Sequence, residues 1–420
     1  CVRDSVLGRV PQDWDITTSA RPGEVKAIFG HTIDTGIAHG TVTVMVDHEG
    51  FEVTTYRIDG EYEDARHPKE VIFTPLLRED LRRRDFTINA MAYNDADGLV
   101  DLFGGLSDLR QGVIRCVGDP AERFTEDALR MLRAVRFAAQ LDFQMERRTK
   151  EAIRTLSGNL ARVSAERIQA ELVKLLVSDH PEQIALAYEA GLTEVFLPEF
   201  DEMMRTEQNN PHHCYTVGEH TIKALTNVPA DKVLRLAVLL HDVAKPLCRS
   251  VDAQGVDHFY GHPERGSELA GQILRRLKYD NDTTGRVRAL IRWHDDNPPL
   301  TDRAVRRAIS RIGTEQYPGL FAVKRADLLA QSDYQRAEKL AYLSSYEAAW
   351  NRIMEQDECL TIKQLAVNGQ DLIAAGMRPG KEIGEMLKRL LEIVLDAPEK
   401  NTREQLLTFV MNENPFTYDE

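Results

Sequence analysis

The sequence predicts an α+β fold: a small N-terminal mixed α/β head on an antiparallel-rich sheet, followed by a long all-α neck, body and tail. Two observations carry this expectation. Alternating, β-branched segments are confined to the residues before about 100. From about residue 118 onward, apolar residues recur at helical spacing and strand signals nearly vanish. A chain of 420 residues has room for about two to four domains.

The elements follow in order. Arg21 to Phe29 reads as a short helix. Gly40 to Val46 and Phe51 to Arg57 alternate as strands, and Asp47 to Gly50 between them predicts a hairpin. Thr125 to Phe137 reads as one helix with Thr125 as its N-cap. Helical patterns then recur at 145–156, 164–178, 181–191, 219–228, 232–243, 264–278, 283–295, 302–312, 318–332, 335–354 and 381–395. Asn209-Asn-Pro211 and Asn297-Pro-Pro-Leu300 break the pattern as turns or linkers.

Composition narrows the class. Hydrophobic residues make up 42% of the chain and charged residues 29%, enough for a sizeable core. No apolar run approaches the roughly 20 residues of a membrane span, and no signal peptide is expected. The five cysteines lack metal or disulfide spacing and read as reduced thiols of a cytoplasmic protein. A net charge of −14 speaks against nucleic-acid binding unless a local basic surface overrules it.

Asp13-Trp-Asp15 holds two carboxylates two residues apart. On an extended strand they point the same way and suit Mg²⁺. Glu52, on the face shared with Thr54 and Tyr56, is positioned to join them from a neighbouring strand. Three such carboxylates make a cage for two metals, one activating a hydroxyl and the other neutralising pyrophosphate. Arg82-Arg-Arg-Asp-Phe-Thr-Ile-Asn89 reads as a basic run entering a helix, with Asn89 available for a ribose hydroxyl. Taken singly, each also reads as a solvated acid or a charged helix start.

Asp127 and Arg130 are three residues apart, on one face of a helix. Cytosine and adenine each place an exocyclic amine beside an unprotonated ring nitrogen. Asp127 can accept from the amine and Arg130 can donate to the nitrogen. Guanine and uracil present the opposite order, so both contacts fail. A plain i,i+3 salt bridge is the ordinary alternative. Arg133 and Arg136 continue that face and suit a triphosphate. Arg147, Arg148, Lys150, Arg154, Arg162, Arg167 and Lys174 add the local basic surface that the net charge conceals.

Arg3-Asp4, Asp13-x-Asp15, Gly40-Thr-Val, Glu52, Arg83-Arg-Asp-Phe-Thr-Ile-Asn89 and Glu126-Asp-x-x-Arg130 occur in the order seen in class II tRNA nucleotidyltransferases. The chain resembles the bacterial CCA-adding enzymes of that class over nearly its whole length. The resemblance implies template-independent addition of C, C and A to tRNA 3′ ends from CTP and ATP, with Mg²⁺. It implies catalytic roles for Asp13, Asp15 and Glu52. Nucleotide contacts fall to Arg3, Arg84, Asn89, Glu126, Asp127, Arg130, Arg133 and Arg136. Residues 59–68, with Asp59, Tyr62 and Arg66, resemble the flexible loop of members that add the terminal A. The family motif opens with a Gly-Gly pair just before the position of Cys1, so an N-terminal segment is expected to be missing. An A-adding enzyme paired with a separate CC-adder, and a poly(A) polymerase, share this head and stay open.

His220, His241-Asp242, His262, His294 and Asp327 resemble the HD metal-dependent phosphohydrolases. His241 and Asp242 are expected to ligate from one helix, with His220 and Asp327 completing one divalent transition-metal site. His262 and His294 could hold a second metal. His212, His213 and His258 lack a motif partner and read as surface residues. An HD phosphohydrolase with a vestigial RNA-binding head is the rival from another class. The tail around Gly376, Gly380 and Gly384 resembles the C-terminal segment of the same family, its glycines allowing close approach of RNA or a helix. The expected domains are head 1–117, neck 118–200, HD body 208–332 and tRNA-binding tail 335–415. The expected partners are tRNA, CTP and ATP, with no membrane and no DNA, in a monomer or homodimer.

Overall fold

The alternating segments of the head pair into one small sheet. The computed structural model describes residues 1–11, 13–60, 71–212 and 214–413. The sheet's strands are β1 (Ile16–Thr18), β2 (Thr32–Gly36), β3 (Thr41–Val46) and β4 (Glu49–Thr55), in the order β1-β4-β3-β2. β3 and β4 form the expected hairpin, with Val46 opposite Glu49. The turn is tighter than the sequence suggested. Only Asp47 and His48 span it, at φ 50° and 69°, the left-handed backbone that matches strand twist in a two-residue hairpin.

β2 adds antiparallel to β3, and β1 adds parallel to β4. Period-two alternation sends Val42, Val44 and Val53 to one face. There Val25, from the helix Pro22–Ile28, completes a buried cluster. Burying four such side chains is worth roughly 6–12 kcal/mol before entropy is subtracted. The opposite parity leaves Glu52 exposed.

Around this sheet lie α1 (Val2–Val6), α2 (Pro22–Ile28), α3 (Leu77–Arg82) and α4 (Gly105–Gln111). The neck adds α5 (Pro120–Glu126), α6 (Leu129–Leu141), α7 (Arg147–Leu156) and α8 (Ala165–Leu176). The single helix expected from Thr125 is two. Asp119, not Thr125, caps the first, accepting from the Ala121 amide at 2.8 Å ahead of Pro120. Thr125 sits inside α5 and bonds back to the Ala121 carbonyl. Asp127 then goes extended and breaks the chain between α5 and α6. The Arg82–Arg84 run also differs from expectation. It leaves α3 rather than entering a helix, which places positive charge at the favourable end of the dipole.

Two units divide the chain. One comprises Cys1–Arg205, Ala230–Lys232 and Gln272–Asp280; the other comprises Thr206–Pro229, Val233–Gly271 and Asn281 onward. The second is mostly helical: it holds α9 (Val217–Leu225), α10 (Lys232–Leu240) from Val233 on, α11 (His262–Arg276) as far as Gly271, α12 (Asn281–Trp293), α13 (Asp302–Ile312), α14 (Tyr317–Ala330), α15 (Arg336–Glu355) and α16 (Lys381–Asp396). Thr216 and Glu219 form a reciprocal capping box that starts α9. α14 and α15 are joined by an aromatic cluster in which the Tyr317 and Tyr346 hydroxyls lie 2.9 Å apart. Arg306 and Arg307 on α13 reach the Leu395 carbonyl and Asp396 on α16. A Cβ at Gly380 or Gly384 would meet nothing within 4 Å, so no neighbouring helix exploits those glycines.

Candidate active site and metal centre

Asp13 and Asp15 are exposed and lie in the extended segment leading into β1 rather than within it. Ile16 pairs with Val53, so the register runs Asp15 toward Glu52, which is exposed on β4. The three carboxylates are not among the groups whose oxygens gather within 4.8 Å of one another. Like charges hold apart unless a cation lies between them. Hard carboxylate oxygens on β4 and on the segment leading into its neighbour β1 nonetheless form a donor set that suits Mg²⁺.

Beside them, polar contacts link most of the expected nucleotide residues. Arg3 forks onto Asp4 and donates to Asn89 Oδ1 at 2.9 Å. Asn89 donates to Asp85 Oδ1 at 3.1 Å, and Arg133 Nε donates to Asp85 Oδ2 at 2.8 Å. Arg136 Nε forms an ion pair with Glu171 Oε2 at 2.6 Å, both residues being buried. Three guanidinium groups, those of Arg3, Arg133 and Arg136, stack around the ring of Phe137. Such crowding of positive charge requires counterions, and Asp85 and Glu171 supply them. Burial pushes the Asp85 carboxyl up, but Arg133 and the bonds from Asn89 and Arg133 outweigh it and hold it below the usual carboxylate range. Burial also lowers Arg136 to about 10, against the pull of Glu171.

The Asn89 turn is braced from below. Thr87 Oγ1 donates to Asp108 at 2.6 Å, and a Cβ at Gly105 would come within 2.2 Å of the Thr87 carbonyl. Only glycine lets α4 approach this closely. Arg84 is half-buried, 3.7 Å from Asp80, which also holds Arg83 and accepts from Thr17 on β1. Asp80 thereby ties the basic run to the strand behind the carboxylates.

The expected Asp127–Arg130 pair is built differently from a helix-face pair. Asp127 precedes α6 and accepts from the Leu129 amide at 3.1 Å. Its other oxygen accepts from Arg167 on α8 at 2.7 Å. Arg130 forms an ion pair with Glu126 at 2.6 Å and donates to the carbonyls of Arg83 and Arg123. Arg167, expected on the basic surface, is thus partly buried against Asp127. Arg147 and Lys150 pair with Glu151 and Glu189, so that surface is laced with carboxylates. Sequence gives Asp85 a place in the Arg83–Asn89 motif but no role, and gives no sign of Glu171 or of the bracing role of Arg167; a single carboxylate carries no periodic signal. Of the loop 59–68, residues 61–68, including Tyr62 and Arg66, lie outside the described residues. The Asp59 backbone pairs with Val71.

The second unit gathers the histidines. α9 packs on α14 and brings His220 Nε2 to 2.9 Å from Asp327 Oδ1. His241 and Asp242 do not ligate from a helix. They stand in the turn after α10, as His294 does after α12, while His262 opens α11. The C-terminal ends of α10 and α12 leave carbonyls unpaired, and the Phe259 carbonyl stands just ahead of α11. The Nδ1 atoms of His241, His262 and His294 lie 2.7–2.8 Å from the carbonyls of Val238, Phe259 and Ile291. A carbonyl only accepts, so each Nδ1 carries the hydrogen, and in the neutral ring that a metal requires each Nε2 turns its lone pair inward.

The Nε2 atoms converge on Asp242. His241 lies 3.1 Å away, His262 3.3 Å and His294 3.8 Å. Lys245 Nζ pairs with Asp242 Oδ2 at 2.7 Å, while His241 Nε2 and Asp242 Oδ1 are buried without a hydrogen-bond partner. Buried lone pairs left this way fit a cation. Two ligand groups result, His220–His241–Asp242 and Asp242–His262–His294, sharing Asp242. Imidazole with carboxylate suits a divalent transition metal. His212, expected at the surface, is half-buried with Nδ1 3.0 Å from Lys339 Nζ. His258 pairs with Asp252 at 2.8 Å, and His213 lies outside the described residues.

Comparison with known proteins gives this arrangement a family. Residues 1–115 match the poly A polymerase head domain, 142–204 the RNA and SrmB-binding site of polymerase A, and 265–410 the tRNA nucleotidyltransferase domain 2. The CCA-adding enzyme of Lactobacillus helveticus is 34% identical over 404 residues, covering 96% of this chain and 88% of its own. That of Pediococcus pentosaceus is 35% identical over 412 residues, covering 97% and 91%. Among solved structures, the Bacillus stearothermophilus CCA-adding enzyme in complex with CTP superposes with a TM-score of 0.71 at 28% identity, over 99% of this chain and 91% of that one.

The fold and the head motifs define a metal-dependent nucleotidyltransferase. The chain belongs to the CCA-adding enzymes, the tRNA nucleotidyltransferases that build the tRNA 3′ terminus.

Proposed function

We propose that the head carries out CCA addition with the residues described above. The tRNA 3′-hydroxyl attacks the α-phosphate of CTP or ATP in line, and pyrophosphate leaves. Asp13 and Asp15 would hold Mg²⁺, with Glu52 assisting as a ligand or as the base that takes the hydroxyl proton. Bound there, Mg²⁺ supplies positive charge to the triphosphate and acidity to the hydroxyl. Arg3, Arg84 and Arg133 contact the triphosphate, and Arg136 adds its charge from its buried position behind Arg133. Asn89, fixed by Arg3 and Asp85, faces the ribose.

Asp127 and Arg130 choose the base, Asp127 accepting from the exocyclic amine and Arg130 donating to the ring nitrogen. Each carboxylate oxygen has two lone pairs, so the bonds to Leu129 and Arg167 hold Asp127 without exhausting it. Glu126 steadies Arg130. The loop with Asp59, Tyr62 and Arg66 serves the step from C to A. Substrates of this kind are met in the cytoplasm, where five cysteines outside any disulfide also belong.

The observation that carries this reading is the near-full-length likeness to CCA-adding enzymes. Single-turnover extension of tRNAs lacking the last one, two or three nucleotides tests it. Completion of all three to CCA is expected. Extension only of the tRNA lacking the terminal A would instead identify an A-adding enzyme, and long A tails a poly(A) polymerase.

In the second unit, His220, His241, Asp242, His262, His294 and Asp327 would hold one or two divalent transition metals and hydrolyse phosphate esters. The convergence of His241, His262 and His294 Nε2 on the buried Asp242 carboxylate supports the metal site on which this reading rests. Phosphate release from a chromogenic ester, dependent on added metal and lost in His241→Ala, is the corresponding test.

A further inference from the structure

Asp327 divides its carboxylate between two tasks. Oδ1 faces His220 and the metal centre at 2.9 Å. Oδ2 accepts at 3.1 Å from Nε2 of Gln331, the residue that follows α14. The Gln331 amide oxygen in turn accepts from Lys339 Nζ on α15 at 2.6 Å. An ammonium has no lone pair, so His212 Nδ1, 3.0 Å from the same Nζ, also accepts. These partners set the orientation of the amide: its NH₂ meets the carboxylate and its oxygen meets the ammonium. One side chain therefore fixes the distance between a residue of the metal centre and a cation.

That cation lies on a cavity of about 360 Å³, which His294 and Asp327 also line. Lys324 lines it too, its Nζ occupied by the carbonyls of His294 and Asp296 at 2.8 Å. Lys324 thus holds the His294 turn. Among the described residues, Gln331 and His212 take two of the three hydrogens of Lys339. Tyr342 and Leu343 supply an apolar wall. The volume lies at the small end of ligand pockets and suits an anion joined to one compact, flat or apolar group.

We infer that Lys339 binds the phosphate of the ester on which this metal centre acts, and that Gln331 is the positioning residue that sets Lys339 against Asp327. The inference rests on the phosphohydrolase reading of the second unit. The expected ligand is a small phosphate ester, no larger than about one nucleotide, with its substituent against Tyr342.

The test uses the full chain loaded with Mn²⁺, with metal content measured for every variant. Calorimetry with inorganic phosphate and kinetics with p-nitrophenyl phosphate are the readouts. Lys339→Met is expected to weaken phosphate binding and raise KM by about tenfold, the scale of a lost charge-assisted bond. The kcat is expected to stay within about threefold and the metal content to be unchanged, since Lys339 is no ligand. Lys339→Arg should restore most of the phosphate affinity, which a packing role for the stem alone would not produce. Lys339→Gln, which keeps polar contacts without charge, serves if the methionine variant misfolds. Gln331→Met should weaken phosphate nearly as much, and combining it with Lys339→Met should add little. Equal phosphate affinity in wild type and in folded, metal-loaded Lys339 variants overturns the inference and leaves the hydrolase reading standing. A metal-loaded wild type that neither binds phosphate nor cleaves the ester overturns both.

Discussion

Arg167 Nη2 on α8 lies 2.7 Å from Asp127 Oδ2, so the residue expected to recognise the base is held by a helix 40 residues further along the chain. If Asp127 and Arg130 choose the base as proposed, that choice depends on the packing of α6 against α8 as well as on the Glu126-Asp-x-x-Arg130 motif. Asp127→Ala is expected to abolish the preference for C and A while leaving metal binding intact. Arg167→Met should free Asp127 to rotate and relax discrimination by about tenfold, a cost of ~1.4 kcal/mol. Competition between nucleoside triphosphates measures both; unchanged discrimination in Asp127→Ala would sink the template reading.

The pair Arg136–Glu171 is buried on both sides. Removing one partner leaves an uncompensated charge in the interior, so Glu171→Ala should cost about 3–5 kcal/mol. Glu171→Gln keeps the volume and an acceptor and should cost less. Urea unfolding of the two variants, followed by far-ultraviolet circular dichroism, gives the comparison. Equal stability would show that Arg136 finds another counterion.

Asp85 gives the head an acid-sensitive component. Its folded carboxyl sits below the usual range, so the unfolded chain binds the proton more readily. The stability it contributes is therefore present above the unfolded value of about 3.9 and is lost as pH falls through the lower folded value. Asp85→Asn should lower stability at neutral pH and flatten the fall of stability below about pH 4. Denaturation midpoints measured from pH 7 down to the acid limit would reveal it. An undiminished slope in the variant would locate the acid sensitivity elsewhere.

The two candidate metal sites should separate by mutation. Asp13→Ala is expected to cut nucleotide incorporation by about 10³-fold or more, roughly 4 kcal/mol of barrier, while the second unit keeps its transition metal. His241→Ala and Asp242→Ala should do the reverse, losing bound metal by elemental analysis while CCA addition proceeds. Loss of incorporation in His241→Ala would join the two activities and count against separate sites.

Much of the head was legible because strands and their turn leave local marks. The alternation of Thr41–Val46 and the turn residues Asp47 and His48 depend on neighbours in sequence, and the hairpin followed. The helices were legible for the same reason, with errors where local signals compete. Thr125 looked like a cap, but Asp119 followed by Pro120 is the stronger start. His241, Asp242 and His294 fit a helical pattern, yet each lies just past the end of a helix, where unpaired carbonyls orient the two imidazoles.

The sequence by itself determined the α+β class, the order of the motifs and the types of residue available for metal, phosphate and base. Tertiary structure alone decided who answers whom: Asp127 with Arg167, Arg136 with Glu171, Asp85 between Asn89 and Arg133, and Lys339 with Asp327 through Gln331. The reason is physical. Secondary structure responds to periodicity over a few residues, whereas a buried charge takes whichever opposite charge packing brings near, and that partner leaves no periodic trace in the chain.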